Sequence, residues 1–283
     1  MRRTFFDILN SVKFDVSEEY RNLKYLFYEE CSVPISGYLK PLSEYIDNTY
    51  FRELDIHIRQ GTTDLDSLAQ KVNVSSFYTY SDLDSLYVFC EFLYALLPDK
   101  QIKGLKNRFL ESQVKTIKDN IAFILEKTNH ELKRSPKHYD NYIIVEKNKA
   151  TTLAAEIVED IEVAYDLIEY NHYALKGDLE GKKKILMSLG SYIEPILRSR
   201  ILQKSGYGKI ESDVGFLLNK FHIRHNNKTG AKAQEYIVSL KDSDLELWYD
   251  RAYEMILTVI IINNNLSVYE ELDNLKKTYK WKE

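Results

Sequence analysis

A chain of 283 residues with a 44% hydrophobic share is long enough for one large domain or two ordinary ones, each with its own core. Its net charge of −4 and pI near 6.0 exclude a global basic field of the kind that drives non-specific nucleic-acid binding, so any RNA contact has to come from a local patch. Only 10 Gly and 5 Pro are present, too few turn formers for an all-β sandwich, and the expected fold class is all-α.

Met1-Arg2-Arg3 begins like the basic region of a signal peptide, but Asp7 and Asn10 interrupt the apolar stretch behind it. With the longest apolar segment, Met255 to Ile262, far short of a membrane span, the chain reads as soluble and cytoplasmic, with no membrane partner. Asp15-x-x-Glu18, Thr63-x-x-Asp66 and Ser81-x-x-Asp84 each precede helically spaced apolar residues and mark helix starts. The third opens a segment from Leu83 to Leu97 that is apolar nearly all round, so it belongs at the centre of the N-terminal half. Ile102, Leu105, Phe109, Ile117, Ile121 and Leu125 then trace the apolar face of one long helix. Cys31 and Cys90 lie far apart on apolar-rich segments and read as reduced core thiols.

A helical N-terminal domain therefore occupies residues 1–133, and residues 134–148, with Ser135-Pro136 and the β-prone run Tyr142 to Val145, read as an extended connector. Beyond it, Leu153, Ile157, Ile161, Ala164 and Ile168 predict one helix from about Ala150 to Tyr173. Ile185 to Leu197 predict a second over Lys182 to Leu202, bent at Pro195. After a loop at Ser205 to Gly208, a short helix carries Val214, Leu217, Leu218 and Phe221. Ser243-x-x-Glu246 starts the last strong helix, Asn263 to Asn265 end it, and Lys276 to Glu283 form a solvated tail or short helix.

Between the short helix and the last one lies Phe221-His222-Ile223-Arg224-His225-Asn226-Asn227-Lys228, the densest group of phosphate-handling side chains in the chain. Arg is a permanent planar cation matched to phosphate oxygens, and His moves protons near neutral pH. The same residues also suit a helix C-terminus, where cations complement the dipole and Asn tolerates a left-handed cap. Arg198 and Arg200, near the end of the second helix, are candidates to join Arg224 and Lys228 in one basic patch.

Two long helices, a short third with Arg-His-Asn at its end and a long final helix resemble the HEPN superfamily over residues 149–265. Together with a separate helical N-terminal half, this layout is similar to bacterial abortive-infection proteins that defend against phage. The resemblance implies a HEPN-like four-helix bundle over residues 149–283, a homodimer, and RNA bound or cleaved without a metal. It assigns phosphate stabilisation to Arg224 and proton transfer to His225 or His222, with Asn226, Asn227, Lys228, Arg198 and Arg200 as RNA contacts. The family's closing His is missing, for its positions hold Thr229, Gly230 and Ala231, and a shared site across a dimer is the form that compensates. The alternative is a non-catalytic helical module whose partner is another protein.

Other motifs carry less. Arg52 to His57 repeats the Arg-x4-His spacing outside the helical context of the resemblance and reads as surface. His222-x-x-His225 and Glu169-x-x-His172 each supply half of a metal site without the second half. No metal or cofactor is expected. A Gly-rich phosphate loop, a nucleophile elbow and zinc-finger spacing are all absent from the sequence.

Overall fold

The computed structural model describes residues 14–35, 37–54, 56–74, 79–97, 108–134, 142–225 and 235–279, with the backbone alone at 108, 267 and 270. The protein is mostly helical, with two short two-stranded sheets among the described residues, and it divides into two compact units, Met1–Ile144 and Val145–Glu283.

In the N-terminal unit, α1 (Val16–Lys24) continues into a π-helical turn at Tyr25–Glu29, and a hairpin of β1 (Val33–Ile35) and β2 (Tyr38–Lys40) follows. Helices α2 (Leu42–Thr49), α3 (Ile56–Arg59), α4 (Leu65–Lys71), α5 (Leu83–Leu96) and α6 (Arg108–Lys127) complete it, with β3 (His130–Arg134) paired to β4 (Tyr142–Glu146). Asp15 caps α1 by accepting from the Ser17 and Glu18 amides, as its spacing predicts. The next two starts shift by one residue: Asp64 and Asp82, rather than Thr63 and Ser81, accept from the amides of Ser67 and Ser85. In each pair the ionised carboxylate makes the stronger, charge-assisted bond to an N-terminal N–H, and that bond holds both aspartates below the usual carboxylate range.

Helix α5 is the buried centre of this unit, with Leu86, Phe89, Cys90, Leu93 and Leu96 fully enclosed. Tyr20 stacks on Phe89 at 4.8 Å, and Tyr50 donates to the Leu96 carbonyl at 2.8 Å. Burial raises the Cys90 thiol well above its ordinary range, whereas Cys31 is exposed and so corrects its expected core position. Phe109 is likewise exposed, because the apolar face of α6 runs through Leu110, Val114, Ile117, Ile121 and Ile124. The Tyr142 run corrects another expectation. It is a paired strand, since the edge of β3 offers its backbone groups partners and the Glu91 carboxylate accepts from the Ile144 amide at 2.7 Å.

The C-terminal unit consists of α7 (Lys149–Ile157), α8 (Ile161–Glu169), a 3-10 turn at Tyr173–Leu175, α9 (Leu179–Ser199), α10 (Ile201–Lys204), α11 (Gly208–Lys220), α12 (Glu235–Ser239) and α13 (Asp242–Thr278). Helix α13 packs on α9, α7 and α11, and α8 packs on α7 and α9. The core between them comes from Ala154, Leu167, Leu186, Leu189, Ile193, Val214, Leu218, Ala252, Ile256 and Val259.

Several boundaries differ from those predicted, the end of α9 at Ser199 among them. The helix expected over Ala150 to Tyr173 is two, because Asp160 turns its carboxylate to the Glu162 and Val163 amides and starts a new helix; Leu153 and Ile161 are left exposed. Helix α13 starts at Asp242 without a Ser243 cap, since Glu246 reaches instead to Lys182 and the Gly177 amide. It also runs on through Asn263 to Asn265. An interior Asn costs a helix only about 0.7 kcal/mol, and the burial of Leu266 just beyond offsets it.

Polar links tie these helices together. Tyr253 of α13 donates to the Leu167 carbonyl at 2.7 Å, receives Asn171 Nδ2 at 2.8 Å, shares a hydrogen bond with Thr151 at 2.7 Å, and stacks on Tyr170 at 4.0 Å. Tyr253→Phe keeps the stacking and strips the hydroxyl from three polar groups, on the buried Leu167 and Thr151 and the half-buried Asn171. The expected cost is about 2 kcal/mol in urea unfolding of the full chain; a change within error would mean that these groups find other partners.

Candidate functional site

Helix α9 ends at Ser199 because Arg200 takes a left-handed backbone conformation, φ 55°, and the chain restarts directly as α10. A second turn through Gly206, φ 89°, reverses the chain into α11. The last turn of α9, the short α10 and one face of α11 thereby enclose a cavity of about 470 Å³. Gly208, Glu211, Ser212, Gly215 and Asn219 line it at three- and four-residue intervals along α11, opposite the face that buries Val214, Leu217 and Leu218. Glu194, Leu197, Arg198, Arg200 and Gln203 close the other side, and Arg224 completes the wall.

Three of the sequence-predicted residues, Arg198, Arg200 and Arg224, therefore meet at one concavity. Their situations differ. Arg224 is largely buried, its side chain 20% exposed, with Nη2 donating to the Gly190 carbonyl at 2.6 Å and lying 3.4 Å from Glu194 Oε2. Gly190 makes room for Leu218 beside it: a Cβ there would crowd Leu218 Cδ2 at 3.1 Å but only touch Arg224 Nε, at 3.6 Å. Arg198 is 79% exposed and pairs with the same Glu194 one helical turn away. Arg200 is exposed and makes no ion pair among the described residues.

The imidazoles are placed otherwise. His222 is buried, in the left-handed conformation (φ 61°) that turns the chain after α11, and neither it nor His225 lines the cavity. His222 Nε2 lies 3.1 Å from Lys183 Nζ. An ammonium only donates, so Nε2 accepts and Nδ1 carries the proton. The turn that follows α11 leaves this ring, expected as a base available to substrate, buried beside Lys183. His225 is exposed. Asn226, Asn227 and Lys228 lie outside the described residues, as do the positions of the absent closing His. Arg52 and His57 are both exposed, in the N-terminal unit.

The α11 side of the cavity went unread in the sequence, although the polar and small residues from Gly208 to Asn219 keep helical spacing as regularly as the apolar ones do. Of the cavity's two carboxylates, Glu194 was also missed. Glu211 accepts from the Gln203 amide at 3.2 Å, and Glu194 holds two arginines, so both acids are engaged with the protein itself. Among the described residues no group of His, Cys, Asp or Glu is placed to hold a metal ion, and no helix is long and apolar enough to cross a membrane.

No family model, curated protein or solved structure matches the chain.

Proposed function

We propose that the C-terminal unit is a HEPN-like helical bundle that binds RNA through the arginine-lined cavity, in a protein of the abortive-infection, phage-defence type. The observation that carries the binding is the convergence of Arg198, Arg200 and Arg224 on one open concavity. Arginine forks match phosphate oxygens, and a guanidinium already oriented by the Gly190 carbonyl loses less entropy on binding than a free one. The backbone of Arg200 adds support. A left-handed helix junction is ordinarily a glycine position, and holding Arg there costs about 1 kcal/mol, which is reasonable where the side chain is needed. The defence role rests on the resemblance of the motif and of the two-unit layout.

Binding rather than cleavage suits the placement of the imidazoles. His222 is occupied and His225 stands off the cavity, so a metal-independent cleavage would need His225 and a second copy of the segment. A non-catalytic protein-binding module is the second reading, favoured by the way Arg224 is satisfied by the Gly190 carbonyl and Glu194.

Fluorescence anisotropy with a labelled single-stranded RNA, across a salt series, decides between them. We expect an affinity on the order of micromolar at low salt, and for Arg198→Glu with Arg200→Glu a loss of at least about tenfold with a salt slope shallower by about two. Wild-type protein that binds no RNA, or a double variant that binds equally well, would favour the protein-binding module. The same RNA incubated with EDTA tests cleavage, and products lost in His225→Ala would assign that step to the exposed imidazole.

A further inference from the structure

Helix α13 changes character at Leu266. Before it the helix is embedded in the core through residues such as Tyr249, Ile256 and Val259; after it every described side chain to Tyr279 is exposed. A helical extension of this length is marginal in water without packing. Four of its apolar residues are nevertheless ordered: Val268, Leu272, Leu275 and Tyr279, between 42 and 72% exposed, recur at intervals of four, three and four, with the exposed Tyr269 on the flank of that stripe. That is the d, a, d, a sequence of a coiled-coil seam, and Asn265 falls on the preceding a position.

The charges beside the seam select the occupant. Glu271 falls at g and Lys276 at the following e, five residues on, the two positions that face each other across a parallel pair of helices. An antiparallel pair would set g against g and e against e, leaving Glu271 and Lys276 unmatched. Among the described residues Lys276 pairs with Asp273 of its own chain, at 3.3 Å and well exposed, which does not hold it in place. An Asn at a single a position bonds to its own copy in a parallel dimer and sets the register.

We propose that the exposed end of α13 is a self-association seam, forming a parallel two-stranded coiled coil with a second copy of this chain. The seam is independent of the arginine cavity and of what that cavity binds. Sedimentation equilibrium of the full chain tests it. The wild type should be a dimer, and Leu272→Asp with Leu275→Asp a monomer of unchanged near-UV spectrum, since neither leucine is part of the core. Lys276→Glu should weaken the dimer at least about tenfold, and adding Glu271→Lys should restore it. In a Cys31→Ser background, Asn265→Cys should form a disulfide between copies on mild oxidation. A monomeric wild type, a dimer that survives the paired Asp substitutions, a charge swap that restores nothing, or copies that fail to cross-link through position 265 would each overturn the proposal.

Discussion

Lys182→Ala is expected to destabilise the C-terminal unit by about 3 kcal/mol. The ammonium lies on the buried face of α9, its side chain 8% exposed, and bonds Glu246 at 2.8 Å and Asp250 at 2.7 Å, both on α13. Tyr170 donates to the same Asp250 at 3.0 Å, so removing the cation leaves two carboxylates and a phenol facing one another. Breaking a fully buried pair costs about 3–5 kcal/mol, and the half-exposed Asp250 places this one at the lower end. Trp248 packs against Phe221 in this unit, so its fluorescence during urea unfolding, in a Trp281→Phe background, is a suitable probe. A change below about 1 kcal/mol would mean that the cluster is solvated and merely decorative.

The same cluster sets an acid limit. Burial would raise the Glu246 carboxyl, but hydrogen bonds from Lys182 and the Gly177 amide outweigh it and hold the group below its ordinary 4.5. A depressed carboxylate contributes stability that is complete above the unfolded value and is lost as pH falls through the folded one. Stability should therefore decline as pH drops below about 4.5, and Glu246→Gln should flatten that part of the profile while lowering stability at neutral pH.

The second large effect separates two arginines of one cavity. Arg224→Ala removes a charged donor from the Gly190 carbonyl and a partner from Glu194, and is expected to cost about 2 kcal/mol of stability as well as RNA affinity. Arg200→Gly should act in the opposite direction on the fold: it relieves a left-handed backbone and should stabilise by about 0.5–1 kcal/mol while weakening RNA binding. Measuring both variants by urea unfolding and by anisotropy gives a pattern that simple misfolding cannot produce. Loss of stability in Arg200→Gly would sink the view that the residue is kept for its guanidinium.

How far such effects could be foreseen varies with the residue. Periodicity alone showed that the protein is helical, placed α5 at the centre of its unit, and drew the apolar faces of α9 and α13, because burial of one stripe is written directly into spacing. The caps of α1, α4 and α5 were legible to within a residue. Where Ser or Thr preceded Asp the carboxylate captured the amides, and this competition is local enough to be read from the chain.

The Phe221 to Lys228 cluster stood out by composition, but composition says nothing of direction. His222 turns inward and Arg224 folds onto α9 because one left-handed residue reorients the chain after α11, and φ at a single position is decided by what packs around it. The cavity depends in the same way on two turns, at Arg200 and Gly206, that bring the end of α9 against the polar face of α11. Sequence by itself determined the helices and the candidate cations. Only tertiary structure decided which cations meet, which imidazole is buried, and that Glu246 serves Lys182 instead of its own helix start, because side-chain partners distant in sequence compete for the same groups.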